Sequence, residues 1–203
     1  MSRNTYMFFV VFLLSGVTID AQTNDEIPEN KYFIGSTFFM LANLVDDPEP
    51  PAYYQLNGGY RITAKDVVSI ELITWTYYEP LGVPFNKKKT ASNYPGKVQS
   101  YGAGLAYKRF IWKEAFVQFH ATAFHQDYLD KSGRKIQSGF QLFNTLRIGY
   151  QFQFFDNRVF LAPSIACTFW PVNTHLPSSF QIQENKWNGF FIGEPGLHFG
   201  INF

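Results

Sequence analysis

The feature that most constrains this chain is strict alternation. In the stretch FQLFNTLRIGYQFQF, one phase holds Phe140, Leu142, Leu146, Ile148, Tyr150, Phe152 and Phe154, interrupted by Asn144. The other holds Gln141, Thr145, Arg147, Gly149, Gln151 and Gln153, interrupted by Phe143. A period of two places these sets on opposite faces of an extended strand, whereas a helix would need a period near 3.6. The segment YQLNGGYRI repeats the arrangement, with Tyr54, Leu56, Tyr60 and Ile62 against Gln55, Asn57, Gly59 and Arg61.

Reading the same alternation between turn residues gives eight strands: 31–45, 52–63, 67–79, 97–112, 115–128, 138–155, 158–171 and 189–203. The connections alternate as well. TAKD, WKE and FDNR are short; DDPEPP, PLGVPFNKKKTASNYPG, DKSGRKIQS and VNTHLPSSFQIQENKWN are longer. In an up-and-down meander this puts all short turns at one end and all long loops at the other, the asymmetry of outer-membrane barrels. The expected fold is therefore an all-β, eight-stranded antiparallel up-and-down transmembrane β-barrel with short periplasmic turns and longer external loops.

Alternation alone does not say which phase faces out, because a soluble lipocalin-like barrel would show the same strands. Volume decides. An eight-stranded barrel has an interior only just wide enough for side chains to fill. The apolar phase is crowded with Phe, Tyr and Leu, while the polar phase is rich in small residues such as Gly59, Gly102, Gly104, Ala106, Gly149, Ala162, Ser164, Ala166, Gly196 and Gly200. The aromatic phase is therefore expected to face lipid. Composition agrees: 19% of the chain is aromatic, with 23 Phe and 12 Tyr, and only 16% is charged, against roughly 25% in ordinary domains. The net charge of +1 argues against nucleic acid as a partner. Aromatics also gather near strand ends: Trp75, Tyr77, Tyr78, Phe169 and Trp170 toward the long loops, and Phe110, Trp112, Phe116, Phe154, Phe155, Phe160 and Phe203 toward the short turns. This pattern predicts two interfacial girdles. Pro163 and Pro195 fall inside strands, where each deletes a ladder bond, so local bulges are expected there.

Residues 1–21 read as a cleaved secretory signal peptide, with Arg3 before a short apolar run from Met7 to Leu14 and small residues up to Ala21. That run is too short for the roughly 20 residues of a spanning helix. Residues 22–30 would form a short periplasmic segment and 31–203 the barrel. The single cysteine, Cys167, allows neither an internal disulfide nor a cysteine-based metal site.

The last strand, GLHFGINF, has apolar residues at Leu197, Phe199, Ile201 and Phe203. On these residues, and on the size and pattern of residues 31–203, the chain resembles the small eight-stranded outer-membrane β-barrels of Gram-negative bacteria, in the size class of the OmpA transmembrane domain and OmpX. GYRIT and GLAYKRF are similar to strands of barrels from Bacteroidota. The resemblance implies the outer membrane as location, and reading of Leu197, Phe199, Ile201 and Phe203 by the barrel-assembly machinery. It implies no activity.

The polar phase places Arg61, Glu71, His120, Arg147, Glu194 and His198 in the lumen, with Lys108 a further candidate. Buried charges need partners, and Glu194 with Arg147, and Glu71 with Arg61, are the expected pairs. The plain reading is a polar plug; the sharper one is a gated ion path or a proton relay. Lys87, Lys88 and Lys89 form a basic run, either a solvated external loop or a contact for lipopolysaccharide phosphates. No metal or cofactor motif is present, and no HExxH, GxSxG or phosphate loop. The expected role is structural or interaction-based, through external loops or the lipid-facing wall. The alternatives are an outer-leaflet lipid-modifying enzyme of the lipid A deacylase or acyltransferase type, and an accessory subunit of an outer-membrane export or nutrient-uptake complex. The enzyme alternative requires a Ser–His or Asp–His pair near the long-loop rim.

Overall fold

A computed structural model describes residues 29–46, 48–84 and 93–203. The signal segment and Lys87, Lys88 and Lys89 lie outside the described residues. The elements are β1 (Tyr32–Thr37), a 3-10 helix (Phe38–Leu44), β2 (Tyr54–Arg61), β3 (Asp66–Tyr77), β4 (Gly96–Trp112), β5 (Ala115–Asp130), β6 (Lys135–Tyr150), β7 (Phe152–Phe154), β8 (Val159–Thr174), α1 (Ser178–Glu184) and β9 (Phe190–Asn202). All strands pair antiparallel in one sheet, ordered β6-β5-β4-β3-β2-β1-β9-β8-β7, and β6 also pairs with β8, so the hydrogen bonds close into a ring.

The sheet has nine strands rather than the eight expected, because the segment 138–155 is divided. β6 and β7 both lie along β8: Gly149 pairs with Ser164, and Phe152 pairs with Leu161. Between them the chain passes Pro163, which has no N–H to donate. The expected distortion at Pro195 falls two residues earlier, at Gly193. The register of β8 with β9 slips between Ala166 and Cys167, and Gly193 takes φ +87°, a conformation that glycine adopts without penalty.

Two other expectations change. The first strand is shorter than 31–45, because the 3-10 helix replaces its second half. Thr37 caps that helix by accepting a hydrogen bond from Phe39 N, while the Ser36 hydroxyl donates to the Gln55 carbonyl. The β5–β6 connection is a tight turn over 131–134 rather than a long loop. Asp130 Oδ1 accepts from Ser132 N at 2.8 Å and Arg134 N at 3.0 Å, and Gly133 takes φ +80°. Short and long connections therefore do not alternate strictly.

The polarity of the ring is inverted, as the volume argument requires. Exposed side chains include Ile34, Tyr54, Leu56, Ile70, Leu72, Leu105, Ile148, Ile165 and Ile201. Buried ones include Gln55, Glu71, Ser100, His120, Thr122, Gln126, Thr145 and Arg147. Leu197, Phe199, Ile201 and Phe203 all point outward. Phe203 exchanges two backbone hydrogen bonds of 2.9 Å with Tyr32, which seats the end of β9 against β1.

The two girdles are only partly as expected. Trp112, Phe154, Phe155 and Phe203 are exposed near the short turns. Phe110, Phe116 and Phe160 instead point inward and form a buried cluster with Val67 and Ala162, with Phe33 packed against it. Near the long loops, Tyr77 and Trp170 are also buried. Tyr77 packs with Tyr94, Val98, Tyr128 and Phe180. The interior is thus layered, with an aromatic layer at each end and a polar layer between.

Candidate functional site

The polar middle layer contains two linked groups. Glu71, 3% exposed, projects inward from β3. Its Oε2 accepts from Gln55 Nε2 at 2.7 Å and its Oε1 from Thr122 Oγ1 at 3.0 Å. His120 Nδ1 lies 3.5 Å from Oε2. Tyr53 donates its hydroxyl to Gln55 Oε1, so the chain of contacts runs from β2 across β3 to β5. Gly104, paired between Glu71 and Thr122, permits this reach: a Cβ there would stand 2.5 Å from Thr122 Oγ1.

The second group centres on Arg147 of β6. Its Nη2 donates to Glu194 Oε1 at 3.3 Å and its Nη1 to Ser164 Oγ at 3.0 Å. Gly196 makes room, since a Cβ there would fall 1.9 Å from Nη1. The expected Arg147–Glu194 pair is therefore formed, and the expected Arg61–Glu71 pair is not. Arg61 pairs in register with Val67, four residues along β3 from Glu71. It donates to the Ala64 carbonyl at 2.9 Å and covers the Phe110 ring at 5.0 Å. His198 sits on the inward phase of β9, paired with Thr37 and Ala162. Lys108 lies nearer the short turns, 4.6 Å above Phe116 and 5.7 Å above Phe160, and donates to Gln151 Oε1 at 3.0 Å.

This arrangement holds charge in place inside the ring. His120 Nε2 and Thr145 Oγ1 are buried without a protein partner, so the layer retains hydrogen-bonding capacity that a water could use. At the long-loop end the lumen is covered by α1. Phe180 is fully buried, 4.8 Å from the Tyr94 ring and 5.2 Å from the Tyr128 ring between centroids. One turn later Glu184 accepts from the Tyr94 hydroxyl, from Trp170 Nε1 at 3.1 Å and from Asn173 Nδ2 at 3.4 Å. Burial first, and the Glu184 carboxylate second, push the Tyr94 hydroxyl well above the usual tyrosine pKa. The spacing of Phe180 and Glu184, four apart, was the available signal for this cover.

The histidines divide. His120 and His198 belong to the interior, and His175 lies in the connection after β8 with φ +59°. His125 stands on the outer face, 3.1 Å from Asp127 Oδ1. The same oxygen accepts from Ser138 Oγ at 2.9 Å and lies 2.7 Å from Lys135 Nζ. An Asp–His pair is thus present near the long-loop rim. The serine bonds to the carboxylate and not to the imidazole, so the histidine is not placed to take the serine's proton. Among the described residues, no group of three or more His, Cys, Asp or Glu is arranged to hold a metal ion.

An antiparallel sheet whose hydrogen bonds close into a ring, with apolar side chains exposed outside, polar ones buried within and an aromatic cluster toward each end, defines the class of structure. Comparison with family models, with curated proteins and with solved structures finds no match to the chain.

Proposed function

We propose that this chain is an integral outer-membrane β-barrel of eight strand positions, with β6 and β7 sharing one, a plugged polar lumen, and a structural or interaction role through its external loops or lipid-facing wall. The observation that carries the reading is the inverted polarity. Soluble monomers seldom expose contiguous apolar surface beyond a few hundred Å², whereas here each of the six long strands exposes large apolar side chains, Leu72, Leu105, Phe119, Ile148, Ile165 and Ile201 among them, around buried Glu71, His120 and Arg147. A closed ring of strands also satisfies the backbone in hydrocarbon. β3, β4, β5, β6, β8 and β9 have 12 to 17 residues each, more than the roughly 9–11 that a tilted spanning strand needs. β1 has six. The 3-10 helix continues the wall above it, exposing Phe38, Phe39, Leu41 and Leu44.

The test is fractionation together with gel migration. The unboiled protein should run faster than the boiled one and stay with outer membranes through carbonate washing. Release as a soluble periplasmic protein would end the reading. Conductance steps in planar bilayers would overturn the plugged lumen. A second reading, an outer-leaflet lipid-modifying enzyme, draws only on the His125–Asp127 pair; loss of lipid turnover in His125→Ala would be its signature.

A further inference from the structure

On the outer face, the registers of β4, β5 and β6 sort side chains into rows. Nearest the long-loop end stand Lys97 and Lys135, either side of Leu129, which is itself buried. The next row is Gln99, Asp127 and Ser138, then Tyr101, His125 and Phe140, then Ala103, Ala123 and Leu142. The two alanines are small beside the exposed Tyr101, Leu105 and Phe140. Over them lies a wide, shallow groove open along its length, flanked by Tyr54, Leu56, Leu72, Tyr101 and Phe140, with His125 at its edge.

The rim above is cationic. Between Lys97 and the turn 131–134 it carries Lys97, Lys131, Arg134 and Lys135 against Asp127 and Asp130, an excess of two positive charges. Lys135 and Arg134 are held by those carboxylates at 2.7 and 3.2 Å. Apolar surface therefore gives way to positive charge along the strand direction, the polarity of one amphiphile standing in a leaflet. A second copy of this chain in the same orientation would bring an equally positive rim, so like charges would oppose it.

We propose that this face seats a single phosphate-bearing acyl lipid, with a chain over Ala103 and Ala123 and the phosphate at the Lys97–Lys135 rim. The proposal rests on the membrane-spanning reading above and names the partner of the wall. Clustered lysines attract anionic headgroups, while the groove selects for the chain beneath.

The experiment uses the full mature chain refolded in detergent, with native mass spectrometry after mixing with bis-phosphorylated lipid A or with uncharged diacylglycerol. The wild type should retain one lipid A and much less diacylglycerol. Ala123→Phe, which fills the groove, should cut lipid A retention about tenfold. The double variant Lys97→Gln/Lys135→Gln should cut lipid A retention by about tenfold and leave diacylglycerol unchanged. Each variant is first checked for heat-modifiable migration; Ala103→Phe replaces Ala123→Phe if that lacks it, and the single variants Lys97→Gln and Lys135→Gln replace the double one. Equal retention of the two lipids, or of lipid A by wild type and Ala123→Phe, overturns the lipid seat alone. Failure of the wild type to insert into vesicles overturns the membrane reading and the lipid seat with it.

Discussion

Phe180→Ala should open the cover at the long-loop end while leaving the closed sheet intact. α1 has seven residues and no side-chain cap at Pro177, too short to persist without tertiary contacts. Two side chains dock it, Phe180 among Tyr94, Val98 and Tyr128, and Glu184 on Tyr94, Trp170 and Asn173. Truncating a fully buried phenylalanine costs about 3–5 kcal/mol. The two ring contacts are part of that sum and are not added to it. At about 1.4 kcal/mol per tenfold change, the fraction of molecules with the cover open should rise by between about a hundredfold and a few thousandfold. Limited proteolysis within 175–189 reads this directly, because cleavage follows the open population when opening is fast. Acrylamide quenching of Trp170 and Trp187 gives a second readout. Heat-modifiable migration should be unchanged, since β8 and β9 remain paired from Val159 to Phe169. Cleavage at the wild-type rate would refute the argument that Phe180 holds the cover. Loss of the gel shift would show that α1 supports the sheet itself.

Three further outcomes are expected. Glu71→Leu leaves Gln55 Nε2, Thr122 Oγ1 and His120 Nδ1 without their acceptor and should cost about 3–5 kcal/mol, seen as a lower urea midpoint in detergent; an unchanged midpoint would show that the polar layer contributes nothing to stability. Gly196→Ala places a Cβ 1.9 Å from Arg147 Nη1. It should displace the guanidinium from Glu194 at a cost of about 1.5–3 kcal/mol, and Gly196→Ala combined with Arg147→Met should recover part of the loss in the same unfolding assay. The Tyr94 hydroxyl titrates higher in the folded protein than in the unfolded chain. Its contribution is therefore complete below the unfolded tyrosine value near 10 and declines as pH rises above it, so proteolysis of 175–189 should accelerate above about pH 10 in the wild type and show a weaker pH response in Tyr94→Phe.

Much of the fold was legible because parity along a strand is a local property. Arg147 and His198 lie on the phase that Gly149, Gly196 and Gly200 marked as inward, and Glu71 and His120 on the polar phase of their own strands. The aromatics at strand ends were misplaced where position along the strand was allowed to outweigh parity. Phe110 shares the phase of Gly102, Gly104 and Ala106 on β4; Phe160 and Trp170 share that of Ala162, Ser164 and Ala166 on β8; Tyr77 shares that of Glu71 on β3. Parity read to the end of each strand puts all four inside. The Glu71–His120 contact was not legible, because it depends on the stagger of three strands and on Gly104 leaving space between them. The tight 131–134 turn was obscured by a run of polar residues that resembles an open loop but is closed by Asp130. α1 was hidden within a connection whose only helical signal was one pair of anchors four residues apart.

The layered interior also explains how so many polar groups are tolerated at the centre. In the membrane setting proposed above, the outer wall gains nothing from exclusion of water between strands, so cohesion comes from the ladder and from what fills the ring. A polar filling contributes only if its members are satisfied, and an isolated charge would cost several kcal/mol. Glu71 has three contacts and Arg147 is tied to Glu194 and Ser164. The aromatic layers above and below shield these bonds from bulk water, which lowers the local dielectric and strengthens each of them. The two ends and the middle are therefore one device: removing an end layer should weaken the polar contacts it covers. Double-mutant cycles between Phe160→Ala and Arg147→Met should show a coupling of about 0.5 kcal/mol or more, although no hydrogen bond joins the two side chains. Strict additivity in that cycle would mean that the layers act independently.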